Sequence, residues 1–163
     1  MTDEAFRSYY ERYRDPLYRF AWRLTGSEPV AEDIVHDCFV GLFRGGFDSS
    51  RASLQTYLYA AVRNLTRKHH RDNGRDYDQL PEATQDDPLQ ALVSGEISEQ
   101  VRHAVEALPL LQREVLVLFE YEDVPLEEIA QIVGAELAAV KSRLYRARES
   151  LRKSLMSAKG VTR

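Results

Sequence analysis

Apolar side chains recur every three or four residues along most of this chain, the spacing of helices laid on a core. Phe6, Tyr9, Tyr10 and Tyr13 predict a helix over residues 5–14. Asp15-Pro16 interrupts it, and Pro16 suits the first turn of a second helix. That helix turns Leu17, Phe20, Ala21 and Leu24 inward and ends near Gly26. Ser27 is placed to cap a third, whose stripe is Ala31, Ile34, Val35, Cys38, Phe39 and Leu42 before Gly45-Gly46 stops it. Beyond the loop GGFDSSRAS, Leu54, Leu58, Ala61, Val62 and Leu65 mark a fourth helix reaching about Arg71.

Periodicity lapses after Asn73-Gly74. The text RDYDQLPEATQDD is polar and acidic, which predicts a flexible linker between two domains. From Pro88 the stripe resumes with Leu89, Leu92, Val93, Ile97, Val101, Ala104, Val105 and Leu108, and Leu108-Pro109 breaks it. Val115, Leu118 and Phe119 place another helix over 110–121. The last third reads helix, tight turn, helix. Leu126, Ile129, Ala130 and Val133 face inward, Gly134 turns the chain, and Leu137, Val140, Leu144, Ala147 and Leu151 draw one clean stripe. No strand pattern or repeat is present. The reading is therefore all-α: two small helical domains, residues 1–72 and 88–163, joined by a flexible acidic linker over 73–87.

Charge changes that picture. The chain carries a net −4, yet the charge is sorted. Residues 51–75 hold 6 cations and 1 carboxylate, and residues 137–163 hold 8 and 1. Between them, residues 76–136 hold 2 cations and 15 carboxylates. Two basic segments flanking an acidic one point to nucleic acid despite the acidic total. With Val140 and Leu144 inward, Lys141, Ser142, Arg143, Tyr145, Arg146 and Arg148 point outward, where they can enter a major groove or grip its phosphates. Ala130 and Gly134, four residues apart, suit the close crossing of a helix-turn-helix. The same unit also occurs in response-regulator output domains, and a solvated C-terminal helix is the bland competitor. On the fourth helix Arg63, Arg67 and Arg71 recur at a spacing of four, with Asn64 and Lys68 beside them and Tyr57 and Tyr59 interleaved near its start. Cations with aromatics suit a phosphate grip with stacking on unpaired bases. On the third helix Asp33, His36 and Asp37 share an exposed side, which fits a protein-docking face as well as plain solvation.

Other chemistries find little support. His36-Asp37-Cys38 splits across two helix faces, and His69-His70 lacks metal-ligand spacing, leaving phosphate contact or exposure for that pair. No phosphate-cradling glycine loop or hydrolase elbow occurs. The expectation is a non-enzyme with no cofactor and no metal. One cysteine excludes an internal disulfide. The N-terminus lacks a signal-peptide pattern and no apolar run suits a membrane span, so a cytoplasmic protein is expected.

The stretches AEDIVHDCFVGLFR, TYLYAAVRNLTRKHHRD and LEEIAQIVG…AAVKSRLYRARESL, in that order, resemble the extracytoplasmic-function sigma factors of bacterial RNA polymerase. The likeness covers about residues 5–72 and 88–155. It implies a transcription initiation factor that binds RNA polymerase core and directs it to promoters. The first domain would be sigma region 2, docking on the clamp helices of the largest polymerase subunit through Asp33, His36 and Asp37. It would recognise and melt the minus-ten element with Asn64, Arg67, Lys68 and Arg71, and hold a flipped base in the loop of Phe47, Asp48 and Arg51. The second domain would be sigma region 4, reading the minus-thirty-five element with the helix from Leu137. Tyr57 stands where the family usually has tryptophan, Pro125 where it usually has serine, His36 where it more often has glutamine, and Ala139 where it often has a hydroxyl residue. A separate anti-sigma protein is implied as a regulator. From the charge sorting, carboxylates of the acidic segment are expected to shield the basic faces of the free chain. Two other classes compete: a helix-turn-helix regulator acting without polymerase core, and a helical adaptor binding only protein.

Overall fold

The structure is a computed structural model, and it describes residues 2–74 and 97–161. Seven helices follow in order among the described residues: α1 Asp3–Thr25, α2 Glu28–Phe43, α3 Leu54–Asp72, α4 Ile97–Glu106, α5 Leu110–Leu116, α6 Leu126–Val133 and α7 Leu137–Val161. A wide π-helical turn, Val117–Tyr121, extends α5. Most of the expected linker, and the helix start at Pro88, lie outside the described residues.

Caps set most of the ends. Thr2, Ser27 and Ser53 each accept a backbone N–H three residues on, at 3.1, 3.4 and 3.1 Å. Pro125 takes the N-cap position of α6 without a side-chain bond, so Glu127 and Glu128 in its first turn supply the favourable charge there. Gly134 ends α6 at φ 66, a left-handed angle that favours glycine, and turns the chain into α7.

One boundary differs from expectation. The chain passes through Pro16 as a single 23-residue helix rather than two. Proline removes one ladder bond and crowds the preceding turn. Here α1 has one seam on both sides of it: Phe6, Tyr9 and Tyr13 pack on the core before Pro16, and Leu17, Phe20, Ala21 and Leu24 are buried after it. Breaking the helix would split that seam.

The first lobe is α1, α2 and α3; the second is α4 to α7. Leu17, Phe20, Leu24, Leu42, Leu58 and Val62 centre the first, while Leu116, Leu118, Ile129, Val140 and Ala147 centre the second. The lobes are not separate in space. Their buried side chains form one continuous cluster, with α3 packed along α6 and α1 touching α5. Arg113 fastens the corner: its guanidinium donates to the carbonyls of Glu106 and Leu108 at 2.6 and 2.9 Å, and to those of Arg23 and Leu24 at 3.4 Å.

Cys38 faces the core of the first lobe, its thiol 3.7 Å from the Leu58 carbonyl. Burial pushes its pKa up to about 12. A thiolate is the reactive form, so Cys38 is expected to resist maleimide in the folded chain at neutral pH and react at once in denaturant. Mass spectrometry of a timed labelling series checks this; rapid labelling of folded protein contradicts the placement.

Candidate nucleic-acid and polymerase interfaces

The outward side of α3 carries Asn64, Lys68 and Arg71 exposed and Arg67 half-buried. Arg63 does not join them, which corrects the expected three-arginine stripe. It is only 6% exposed, and it lies against Glu114 of α5. Its Nε donates to Glu114 Oε2 at 3.0 Å and its Nη2 to Oε1 at 3.2 Å. Helix geometry explains the split. A step of four residues overshoots one turn by about 40°, so three arginines at that spacing drift by about 80° around the helix. Arg71 reaches solvent while Arg63 turns into the junction between lobes. His70 also differs from expectation: it is buried, with Nε2 3.4 Å from the Leu24 carbonyl at the end of α1. His69 stays half-buried, beside Asn73.

Between α2 and α3 the loop of Phe47, Asp48 and Arg51 is held from within. Asp48 Oδ1 accepts the Ser50 backbone N–H at 2.9 Å and the Ser50 hydroxyl at 2.6 Å. Those two bonds hold its carboxyl below the usual carboxylate range. Arg51 Nε lies 3.6 Å from Asp48 Oδ2. Phe47 is half-buried against the ring of Tyr57, centroids 5.4 Å apart. A Cβ at Gly46 would come within 2.5 Å of the Tyr57 hydroxyl, so a larger residue there would have to displace that ring.

On the far side of this lobe Asp33, His36 and Asp37 are exposed on α2, as their spacing predicts. Asp33 and His36 border an open groove of about 1100 Å³ between α1 and α2. Its floor is aromatic: Phe6, Tyr10, Phe39 and Phe43, the last 60% exposed. Sequence reasoning found the acidic rim and missed this floor. The signal was present in the crowding of Phe6, Tyr9, Tyr10 and Tyr13, more aromatic surface than one buried helix face needs.

The second lobe presents α7. Lys141, Ser142, Tyr145, Arg146 and Arg148 are exposed, Tyr145 by 67%. Arg143 is half-buried, and its Nη1 is buried with no hydrogen-bond partner among the described residues. Arg148 is not idle: Nε donates to Glu120 at 3.0 Å, Nη2 bonds the same oxygen, and its guanidinium stands 5.3 Å over the Phe119 ring. One turn on, Arg152 is paired with Glu149 at 2.9 Å. Lys141 and Arg146 stand exposed in the N-terminal half of α7, on the side away from Val140, Leu144 and Ala147, and Lys153 stands exposed beyond Arg152.

No group of three His, Cys, Asp or Glu side chains among the described residues could hold a metal ion, and none of their helices is long and apolar enough to cross a membrane.

Comparison with known proteins agrees with this layout. The family described as Sigma-70 region 2 matches residues 9–76, and Sigma-70 region 4 matches residues 98–151. The chain is 30% identical to the ECF RNA polymerase sigma factor SigW of Bacillus subtilis, over 93% of this chain and 89% of that one. It is also 30% identical to the ECF RNA polymerase sigma factor SigE of Mycolicibacterium smegmatis, over 86% of this chain and 58% of that longer protein. Among solved structures, the sigma factor RpoE bound to the anti-sigma factor NepR from Bartonella quintana superposes with a TM-score of 0.74 at 24% identity, covering 94% of this chain and 98% of that one. CnrH, solved with the cytosolic domain of CnrY, gives 0.71 at 22% identity, covering 96% and 90%. At those identities the likeness speaks for the fold.

Proposed function

Because this chain belongs to the ECF RNA polymerase sigma factors, which bind polymerase core and direct it to promoters, we propose a division of that work among its surfaces. The α1–α2 groove, rimmed by Asp33 and His36 with Asp37 beside it, docks on the clamp helices of the core. Its aromatic floor accepts apolar side chains while the carboxylates meet basic ones. Asn64, Arg67, Lys68 and Arg71 hold the backbone of the minus-ten element, and the Phe47–Arg51 loop receives an extruded base. The N-terminal half of α7, with Lys141, Ser142, Arg143, Tyr145 and Arg146, reads the minus-thirty-five element; Arg148 joins it by exchanging Glu120 for phosphate. On this reading residues 1–72 form the region 2 domain and residues 88–163 the region 4 domain.

One observation carries this reading: a single small chain keeps an aromatic groove, rimmed by Glu32, Asp33, Arg14 and Arg44, and two cationic helix faces apart on its surface. A helix-turn-helix regulator working alone has no use for the groove, and a protein adaptor has no use for the cations. The chemistry asked of the chain is binding alone. An extruded base is held by stacking, for which Phe47 and Tyr57 provide rings. We also propose an anti-sigma partner that covers the groove, since an exposed aromatic floor of this size invites a cover when core is absent.

The test is transcription reconstituted from core polymerase, this chain and a matched promoter, with pull-down of core in parallel. Arg143→Ala is expected to weaken binding to the upstream element by about 1–3 kcal/mol, as loss of one base-reading arginine does. Core pull-down by that variant is expected to match wild type. Equal loss of both activities contradicts the assignment.

A further inference from the structure

We infer that the free chain is held shut by a latch of three second-lobe carboxylates, Glu114, Glu122 and Glu128, which grip three consecutive turns of α3 and must release before the chain engages a promoter. This inference rests on the promoter-binding reading above and concerns how that binding is regulated.

The latch is a ladder along one side of α3. At its first turn Glu128 Oε1 accepts Gln55 Nε2 at 3.0 Å and the Thr56 hydroxyl at 2.8 Å. At the next, Glu122 Oε1 accepts the Tyr59 hydroxyl at 3.1 Å, with Arg19 of α1 at 3.3 Å. At the third, Glu114 takes Arg63 with both oxygens. The carboxylates come from three different places in the second lobe: the middle of α5, the turn after the π-helical segment, and the first turn of α6. They converge on the helix that carries the DNA-facing residues Asn64, Lys68 and Arg71.

Two features mark this seam as one built to part. A permanently fused bundle gains little from charge at its centre, since well-packed apolar residues of similar volume do as well or better. The ladder is also incompletely satisfied. The Glu122 side chain is 2% exposed, yet its Oε2 has no hydrogen-bond partner among the described residues. A buried carboxylate oxygen in that state lowers the cost of opening. Opening is demanded by length. Elements centred about 25 base pairs apart are separated by about 85 Å at ~3.4 Å per step, whereas α3 and α6 are in contact in this structure. The carboxylates of the acidic segment expected from charge sorting to shield the basic faces include, on this reading, Glu114, Glu122 and Glu128 of the second lobe. Once parted from Glu114, Arg63 joins the cationic side of α3, so one arginine serves as latch in the closed chain and as phosphate contact in the open one.

The experiment uses the full chain with Ser8→Cys and Gln131→Cys, both exposed positions on opposite lobes, carrying a donor and an acceptor dye; buried Cys38 stays unlabelled. Glu122→Gln with Glu128→Gln weakens two rungs and leaves the Arg63–Glu114 rung in place. Expected without DNA or polymerase are high energy transfer in the otherwise wild-type chain and lower transfer in the variant, at unchanged helical circular dichroism. Polymerase-free binding to a promoter duplex is expected to rise about tenfold, because the binding-competent fraction rises. Unchanged transfer in the folded variant, or low transfer already in the wild type, overturns the latch. Should the variant unfold, a second chain with Gln55→Cys and Glu128→Cys, bridged by a short bis-maleimide, decides: the bridged form is expected to lose at least about tenfold in promoter binding with core against the unbridged form, and equal binding overturns the proposal. Shifted transfer with no promoter binding by any form supports the latch and overturns the functional reading instead.

Discussion

Glu114→Ala is expected to lower the thermal midpoint of the chain by roughly 10 °C. Glu114 is fully buried, and both its oxygens hold the guanidinium of Arg63, itself 6% exposed. Removing one member of a buried pair leaves the other charge without its compensation, at about 3–5 kcal/mol. A protein of this size moves by about 2–4 °C for each kcal/mol, which gives the stated shift. The pair is not itself a large source of stability. Arg63→Met with Glu114→Leu is therefore expected to recover most of the loss, because desolvation of both charges disappears together. Calorimetry of the two single variants and the double variant checks this; a single-variant shift below about 2 °C shows that the pair is solvated and the lobes are not joined at this point.

That pair also marks where the sequence stops being informative. Apolar stripes told which faces of α2, α3, α6 and α7 would turn inward, and Ile34, Cys38, Leu58, Val62, Ile129 and Leu144 lie where the stripes place them. Periodicity reports a helix's apolar side and is silent about polar residues at its edge. Arg63 and Glu114 are 51 positions apart, and each alone looks like an ordinary surface charge. Only the packing of α3 against the second lobe brings them together. The same holds for Arg148 and Glu120, which are 28 positions apart and meet only once α7 packs beside the π-helical turn at Val117–Tyr121. Pro16 failed as a helix boundary because local preference yielded to a continuous buried seam along α1.

The outward-facing candidates were easier to read, since solvent exposure follows directly from the inward stripe. Asp33, His36, Asp37, Asn64, Lys68, Arg71, Lys141 and Arg146 all stand at the surface. What the sequence withheld was their surroundings. The groove beside Asp33 needs α1 and α2 set together before Phe6, Tyr10 and Phe43 become one surface.

Asp37→Arg is expected to reduce capture of core polymerase by at least about a hundredfold while polymerase-free DNA binding by the chain stays within about twofold of wild type. The side chain is exposed on α2, and the described residues place no intramolecular ion pair on it, so reversal should leave the fold intact. A like-charge juxtaposition at an interface costs several kcal/mol, and each 1.4 kcal/mol is a factor of ten in affinity. The loss should exceed that of Asp37→Ala, which removes attraction without adding repulsion. It should also shrink as salt rises, since screening weakens rim charges first. Pull-down of core at two salt concentrations, with duplex binding by the same preparations, separates these outcomes. If reversal and alanine behave alike, or if DNA binding falls in step with core capture, the docking face does not lie on this side of α2.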